Sequence, residues 1–153
     1  MNKLRLLLTQ LENHIPNHEK LDTKVSQSNV GWQIDHSLLV INSIINQLKT
    51  SDPKHYRWKF NKMRIFFRIV NTIPRGKVKS PKVVQPVQNA SIEELMKKLT
   101  LAKENIAALE ILHPNSYFSH PFFGDLNLKA AIWFLKLHTK HHLKIIDDIV
   151  RKG

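Results

Sequence analysis

The chain contains 153 residues, 42% of them hydrophobic and 24% charged, which is enough for a single domain with a core of its own. It has no cysteine, and this excludes disulfide bonds, thiolate metal sites, iron–sulfur clusters and a cysteine nucleophile. The formal net charge is +12, a surplus that attracts nucleic acid, anionic membranes or acidic small molecules.

The first part of the chain predicts three helices. Leucines at helical spacing indicate a first helix that is interrupted by Pro16. Apolar residues three and four apart predict a second helix from about residue 30 to residue 49. The pair Asp52-Pro53 predicts a turn and the start of a third helix, which ends near Asn71. We expect the aromatic residues of this third segment to lie in the core, the alternative being an interface between two copies: Trp58, Phe60, Phe66 and Phe67.

Residues 72–90 have a different composition from the flanking segments. Prolines, a glycine and lysines predict a long basic connection, in which only Val83-Val84 is strand-like. Ser91 and Glu94 form a capping box that opens a helix to about Leu112. A loop then covers residues 113–125, and a last helix runs from about residue 127 to residue 151. The pattern predicts one all-α domain over residues 1–153, a bundle of four or five helices with one long crossover loop.

Two histidines of the last helix lie one turn apart on its apolar side. At 100° per residue, His138 and His142 fall in the centre of the stripe that faces the core, and His141 lies about 60° to the side. A pair of histidines four residues apart on a helix is the usual way in which helices chelate a divalent metal. The alternative is a pair of structural core histidines, each of which would need a buried polar partner.

A third metal ligand has to come from another helix. His36 is the best candidate, at the edge of the apolar arc of the second helix and next to Val40. His113 and His120 lie in a loop and are weaker candidates. We interpret His120 as a loop anchor: His120-Pro121 would fix the turn while Phe122 and Phe123 plug the end of the bundle.

Three stretches resemble the DinB/YfiT-like superfamily, and in particular a branch of uncharacterised bacterial proteins. They are Val30-Gly31-Trp32-Gln33-Ile34-Asp35-His36, then His120-Pro121-Phe122-Phe123-Gly124-Asp125-Leu126, then Trp133 with His138-Thr139-Lys140-His141-His142-Leu143. The resemblance covers nearly the whole chain. It implies an all-α four-helix bundle with a divalent metal held by His36, His138 and His142. Many members carry a Trp two turns before the first ligand, where this chain has Ser28 and, one turn before the ligand, Trp32.

The resemblance implies a metal-dependent thiol S-transferase or a hydrolase with a small-molecule substrate. A three-histidine site leaves open positions, where a thiol or water loses its proton near neutral pH. The sequence does not choose between zinc, nickel, manganese and iron, since imidazole suits several of them, and a low-molecular-weight thiol is the second cofactor that the resemblance allows. No catalytic acid or base is assigned, because Asp35 falls on the polar side with Asn42 and Asn46, and Asp147 lies opposite His138.

The alternative function is a non-enzymatic binding protein. No acidic residue occurs between Asp52 and Glu93, an interval that contains the following basic residues: Lys54, Arg57, Lys59, Lys62, Arg64, Arg68, Arg75, Lys77, Lys79 and Lys82. This basic face would contact nucleic acid or another polyanion, although the chain has no recognised nucleic-acid motif. In the enzyme hypothesis, an anionic thiol or acidic substrate is attracted by basic residues around the opening of the metal site: Arg64, Arg68, Arg75 and Lys77. A plain solvated basic face is the third interpretation.

The same sequence has no apolar run of transmembrane length and no recognisable signal peptide. We therefore expect a cytoplasmic protein without a membrane partner. A homodimer stays open as an assembly state.

Overall fold

The computed structural model describes residues 2–75, 86 and 90–152. The described part is mostly helical. It contains α1 (Asn2–His14), α2 (Val30–Thr50), α3 (Lys62–Val70), α4 (Ile92–Ala108) and α5 (Leu128–Lys152), together with a small sheet of β1 (Tyr117–His120) and β2 (Gly124–Asn127). Short 3₁₀ turns follow α1 and α2, at Ile15–Asn17 and Pro53–His55. Most of the predicted connection at 72–90, including Val83-Val84, lies outside the described residues.

Four helices enclose the core. Helices α1 and α2 each pack against both α4 and α5. The fully buried side chains are leucine and isoleucine at helical spacing, including Leu4, Leu8, Leu11, Ile34, Leu38, Ile41, Ile45, Leu48, Leu95, Leu99 and Ile106. The predicted capping box is present, since the Ser91 hydroxyl accepts from the Glu94 amide and the Glu94 carboxylate accepts from the Ser91 amide. The mostly helical fold is thus confirmed.

The loop predicted at 113–125 is partly a hairpin, so the described fold is not purely all-α. Strands β1 and β2 pair antiparallel, with Phe118 opposite Leu126 and both side chains buried. Gly124 has φ +66°, a left-handed conformation that suits glycine after a three-residue turn. Strands of four residues are too short to show a period of two in the sequence.

Helix α4 is four residues shorter than predicted. From Leu109 to Ile111 each amide donates to the carbonyl three residues before it, so the chain winds into tighter turns before His113-Pro114. The apolar pattern continues through these turns because Leu109 is still buried. Periodicity therefore placed the end of the helix too late.

The polar side of α2 packs against α4. Asp35 is only 3% exposed and accepts a hydrogen bond from Nζ of Lys98 at 2.7 Å. Two turns along, Nδ2 of Asn105 donates to Oδ1 of Asn42 at 2.9 Å, while Asn46 is exposed. These polar pairs join two helices around the core.

The prediction that the aromatic residues near α3 lie in the core is wrong for most of them. Trp58 is 67% exposed, Phe60 62% and Phe66 55%, and only Phe67 is buried, against Phe123. The helix itself begins at Lys62, where the Asn61 side chain caps it by accepting from the Arg64 amide. Trp58 therefore precedes the helix instead of belonging to its buried face.

In the described part of the chain, no helix has the combined length and hydropathy that crossing a bilayer requires.

Candidate metal centre

Three histidines from two helices converge at one point. His36 lies on α2, and His138 and His142 lie one turn apart on α5. Nε2 of His138 is 3.2 Å from Nε2 of His36 and 3.3 Å from Nε2 of His142. The ligand atoms of all three residues lie within 4.8 Å of one another. The structure thus brings together the three residues that were predicted as ligands.

His36 lies deeper than its position on the helical wheel indicated. It was expected at the edge of the apolar arc, yet it is 1% exposed. The Trp32 ring stacks on it, with centroids 5.1 Å apart and planes 15° from parallel. On its other side the rings of His138 and His142 lie at 5.0 and 4.7 Å. Helix α5 covers the edge that the wheel showed as half-exposed.

The spacing of the three Nε2 atoms fits a metal ion. Zinc binds imidazole nitrogen at about 2.0–2.1 Å, so two ligands of a tetrahedral ion lie roughly 3.3 Å apart. The observed separations of 3.2 and 3.3 Å agree with this value. The donor set consists of three imidazoles, which suits a borderline divalent cation.

Hydrogen bonding fixes the tautomer of His142. Its Nδ1–H donates to Oε1 of Gln33 at 2.7 Å, and Nε2 of Gln33 in turn donates to Oγ of Ser26 at 3.1 Å. Nε2 of His142 is therefore left with a lone pair that points at His138. Gln33 is a residue of this candidate site that the sequence reasoning missed. The signal was a polar residue among the buried positions of α2, three residues before His36.

Protons alone do not satisfy the cluster. Nε2 of His138 lies within hydrogen-bond distance of two other Nε2 atoms. A ring N–H points in a single direction, so one proton makes a well-aligned hydrogen bond to only one of them. Nδ1 of His138 is buried without a hydrogen-bond partner among the described residues. A cation between the rings accepts all three lone pairs at once. The residues present therefore fit a bound divalent ion.

The electrostatic environment keeps the imidazoles neutral. Burial lowers the pKa of His138 and His142 well below the ordinary 6.5, and neighbouring histidines lower it further by charge repulsion. Neutral imidazole is the form that binds a metal. His138 and His142 are thus in their ligand form at neutral pH.

His141 stands beside the cluster and not in it. Its ring meets that of His142 at 5.1 Å, and it hydrogen-bonds to the backbone of Ile73. Burial and then the charge of Arg75 lower its pKa to about 4, against the opposing effect of that hydrogen bond. This agrees with its predicted position to the side of the stripe.

His120 anchors the hairpin, as predicted. Its Nδ1 accepts from the amides of Phe122 and Phe123 at 3.1 and 3.2 Å, and its ring stacks on Phe123 with centroids 4.4 Å apart. Burial lowers its pKa to about 4. Phe123 is buried, but Phe122 is 52% exposed, so the prediction that both rings plug the bundle is wrong for Phe122.

The described residues of the predicted basic rim have partners of their own. Arg64 is buried and donates to the carbonyls of Asp125 and Lys59, so it stabilises the fold and does not line a mouth. Arg75 pairs with Asp148 of α5 at 2.7 Å, and Arg68 lies over the Trp133 ring at 5.2 Å. Lys77 lies outside the described residues.

Comparison of the chain with models of known protein families, with curated proteins and with solved structures finds no match in any of the three.

Proposed function

We propose that this chain is a divalent-metal-binding protein of the DinB/YfiT-like type, in which His36, His138 and His142 hold the ion. The observation that carries the proposal is the convergence of three Nε2 atoms, two pairs of them at 3.2 and 3.3 Å. The packing of α1 and α2 against both α4 and α5 agrees with a four-helix bundle of that type.

The chemistry that we infer is activation of a thiol or water for transfer or hydrolysis. A divalent ion held by three neutral imidazoles keeps its full charge and lowers the pKa of a thiol or water that it binds. The protein contributes orientation, since Gln33 holds the ring of His142 and the Trp32 ring stacks on that of His36. A low-molecular-weight thiol is the expected co-substrate.

Two carboxylates near the ligands in sequence are engaged elsewhere. Asp35 pairs with Lys98 at 2.7 Å, and Asp147 lies 3.2 Å from the His14 ring. Neither is available as a general base in these arrangements. The proposed reaction therefore relies on the ion to generate the nucleophile.

The decisive experiment measures metal content. Elemental mass spectrometry on tag-free protein should find roughly one divalent ion per chain after reconstitution with zinc, nickel, manganese or iron. The double variant His138→Ala/His142→Ala should lose it. His141→Ala is the matched control, because this residue lies beside the cluster and should leave the metal in place. Wild-type protein that stays free of metal under all four conditions would refute the proposal.

The enzymatic part needs a second assay. Transfer of a small thiol to a chromogenic electrophile should require both the metal and the three histidines. The alternative, a polyanion-binding protein, would instead show DNA or RNA binding that weakens steeply with salt and is unchanged in the double variant. That result without metal-dependent turnover would contradict the enzyme proposal.

A further inference from the structure

Helix α3 presents its apolar side to solvent. Of its nine residues only Arg64 and Phe67 are buried. At 100° per residue the exposed apolar side chains span an arc of about 160° on the opposite side of the helix. We call this arc the apolar face of α3: Met63, Ile65, Phe66, Ile69 and Val70. Ile69, near its centre, is 79% exposed, a position that favours a polar residue in a helix with no partner.

Exposed aromatic residues come directly before α3 in the chain. Trp58 and Phe60 precede the helix and are 67% and 62% exposed. The guanidinium of Arg64 lies 5.7 Å from the centre of the Trp58 ring, and Nδ2 of Asn61 donates to the carbonyl of Phe122, itself 52% exposed. These contacts tie the aromatic segment to the N-terminal end of α3.

The surroundings of this face are basic. Arg57, Lys59 and Lys62 are all exposed, and Lys62 lies within the arc itself at the first turn of α3. The sequence contains no Asp or Glu between Asp52 and Glu93. Positive charge thus lies within the arc and just before it in the chain, without a neutralising acid from the same segment.

We propose that the apolar face of α3 binds the surface of an anionic membrane. Aliphatic side chains enter the boundary between headgroups and acyl chains, Trp58 lies at headgroup level, and Lys59 and Lys62 reach anionic headgroups. This departs from the sequence-based expectation of no membrane partner. Periodicity showed an apolar stripe on this helix, and only the structure shows that the stripe faces outward.

Two other occupants fit the observations less well. Nucleic acid would stack on the aromatic rings, but Ile65, Ile69 and Val70 offer neither stacking nor hydrogen bonds. A second copy of the chain would bring the same lysines and arginines together across a two-fold axis. Like charges facing one another oppose association, whereas an anionic surface complements them.

The test is sedimentation with vesicles of phosphatidylcholine alone and of phosphatidylcholine with about a third phosphatidylserine. Wild-type protein should bind the anionic vesicles and not the neutral ones, and salt should weaken binding. Phe66→Asn/Ile69→Asn should weaken it by about tenfold or more, because two apolar side chains no longer leave water. Lys59→Gln and Lys62→Gln should each weaken it by about fivefold.

The controls separate this surface from general stickiness and from the metal centre. Ile111→Asn replaces a residue that is 87% exposed beyond the end of α4 and should bind as wild type. The double variant His138→Ala/His142→Ala should also bind, since the proposal is independent of the metal. A blue shift of tryptophan fluorescence on anionic vesicles should disappear in Trp58→Phe.

Three outcomes would overturn the proposal. The first is an absence of binding to anionic vesicles at low salt. The second is equal weakening by Ile111→Asn and by Phe66→Asn/Ile69→Asn. The third is a solution dimer, or a complex with nucleic acid, that Phe66→Asn/Ile69→Asn dissociates, because the face would then belong to that partner.

Discussion

Nδ1 of His142 donates a hydrogen bond to Oε1 of Gln33 at 2.7 Å, and this bond ties α5 to α2 next to the candidate metal centre. It selects the tautomer in which Nε2 of His142 carries the lone pair. Outer partners of this kind orient ligand rings and typically change metal affinity by about 10–100-fold when they are removed.

We expect Gln33→Leu to weaken zinc affinity by about 10–100-fold, because His142 loses the acceptor that orients it. Gln33→Glu keeps an acceptor and should retain most of the affinity. Competition with a chromogenic zinc chelator measures both. Ser37→Ala is the control, since the Ser37 hydroxyl donates to the Gln33 carbonyl and does not touch the ligands. Equal loss in all three variants would point to a general disturbance of α2 and not to ring orientation.

In the metal-free protein, His138 should be less favourable for stability than an apolar side chain at the same position. Its Nδ1 is buried and has no hydrogen-bond partner in the described part of the chain. His138→Leu should therefore raise the free energy of unfolding of the metal-free protein by about 1–2 kcal/mol, while abolishing stabilisation by added metal. Denaturant unfolding with and without zinc measures both effects. His141→Leu loses a hydrogen bond to the backbone of Ile73 and should not raise the free energy of unfolding. If it does, the unpartnered Nδ1 of His138 is not the reason for the gain in His138→Leu.

The His120 ring should stabilise the hairpin through two backbone amides. His120→Leu removes their acceptor and should cost about 1–3 kcal/mol, and His120→Asn, whose side-chain oxygen accepts similar bonds, should cost less. Thermal unfolding at neutral pH compares the two variants. Identical losses would show that ring packing on Phe123, and not the hydrogen bonds, carries the effect.

The same residue should make stability depend on pH. The pKa of His120 is about 4 in the fold and 6.5 when unfolded, so between these values the unfolded chain binds the extra proton. Its contribution is fully present above pH 6.5 and is lost as the pH falls toward about 4. The destabilisation by His120→Asn, measured by denaturant unfolding, should shrink over that range. A constant difference would mean that His120 does not titrate in this way.

Removing one or the other residue of the ion pair between α2 and α4 should lower the free energy of unfolding by different amounts. Asp35 is buried, whereas the Lys98 side chain is 33% exposed. Lys98→Met strands a buried carboxylate and should cost about 3 kcal/mol, while Asp35→Asn lets Lys98 turn to solvent and should cost about 1 kcal/mol. Lys103→Met, at the exposed pair with Glu12, is the control and should cost less than about 1 kcal/mol. The reverse order of the first two would contradict the burial argument.

Local patterns in the sequence predicted most of the helices and the histidine pair of α5. Residues four apart on one helix share a side whatever the rest of the chain does, so His138 and His142 were predicted together. The capping box at Ser91 is equally local, because it involves residues three apart. The end of α4 was missed because the apolar pattern continues into the tighter turns after Ala108, and the two strands were missed because four-residue segments carry too weak a periodicity.

Only the tertiary structure shows which side of each helix packs against which neighbouring helix. His36 and Gln33 face the pair on α5 because of how α2 packs, and a helical wheel of α2 alone places His36 at an edge. The aromatic stripe of α3 was expected inside and lies outside, although its spacing is the same in both cases. A one-dimensional pattern records that a side is apolar, but only long-range packing selects the surface that covers it. The sequence by itself therefore determined most of the helices and placed His138 and His142 together. The burial of His36, the hydrogen bond between Gln33 and His142 and the exposed face of α3 came from packing between elements far apart in the chain.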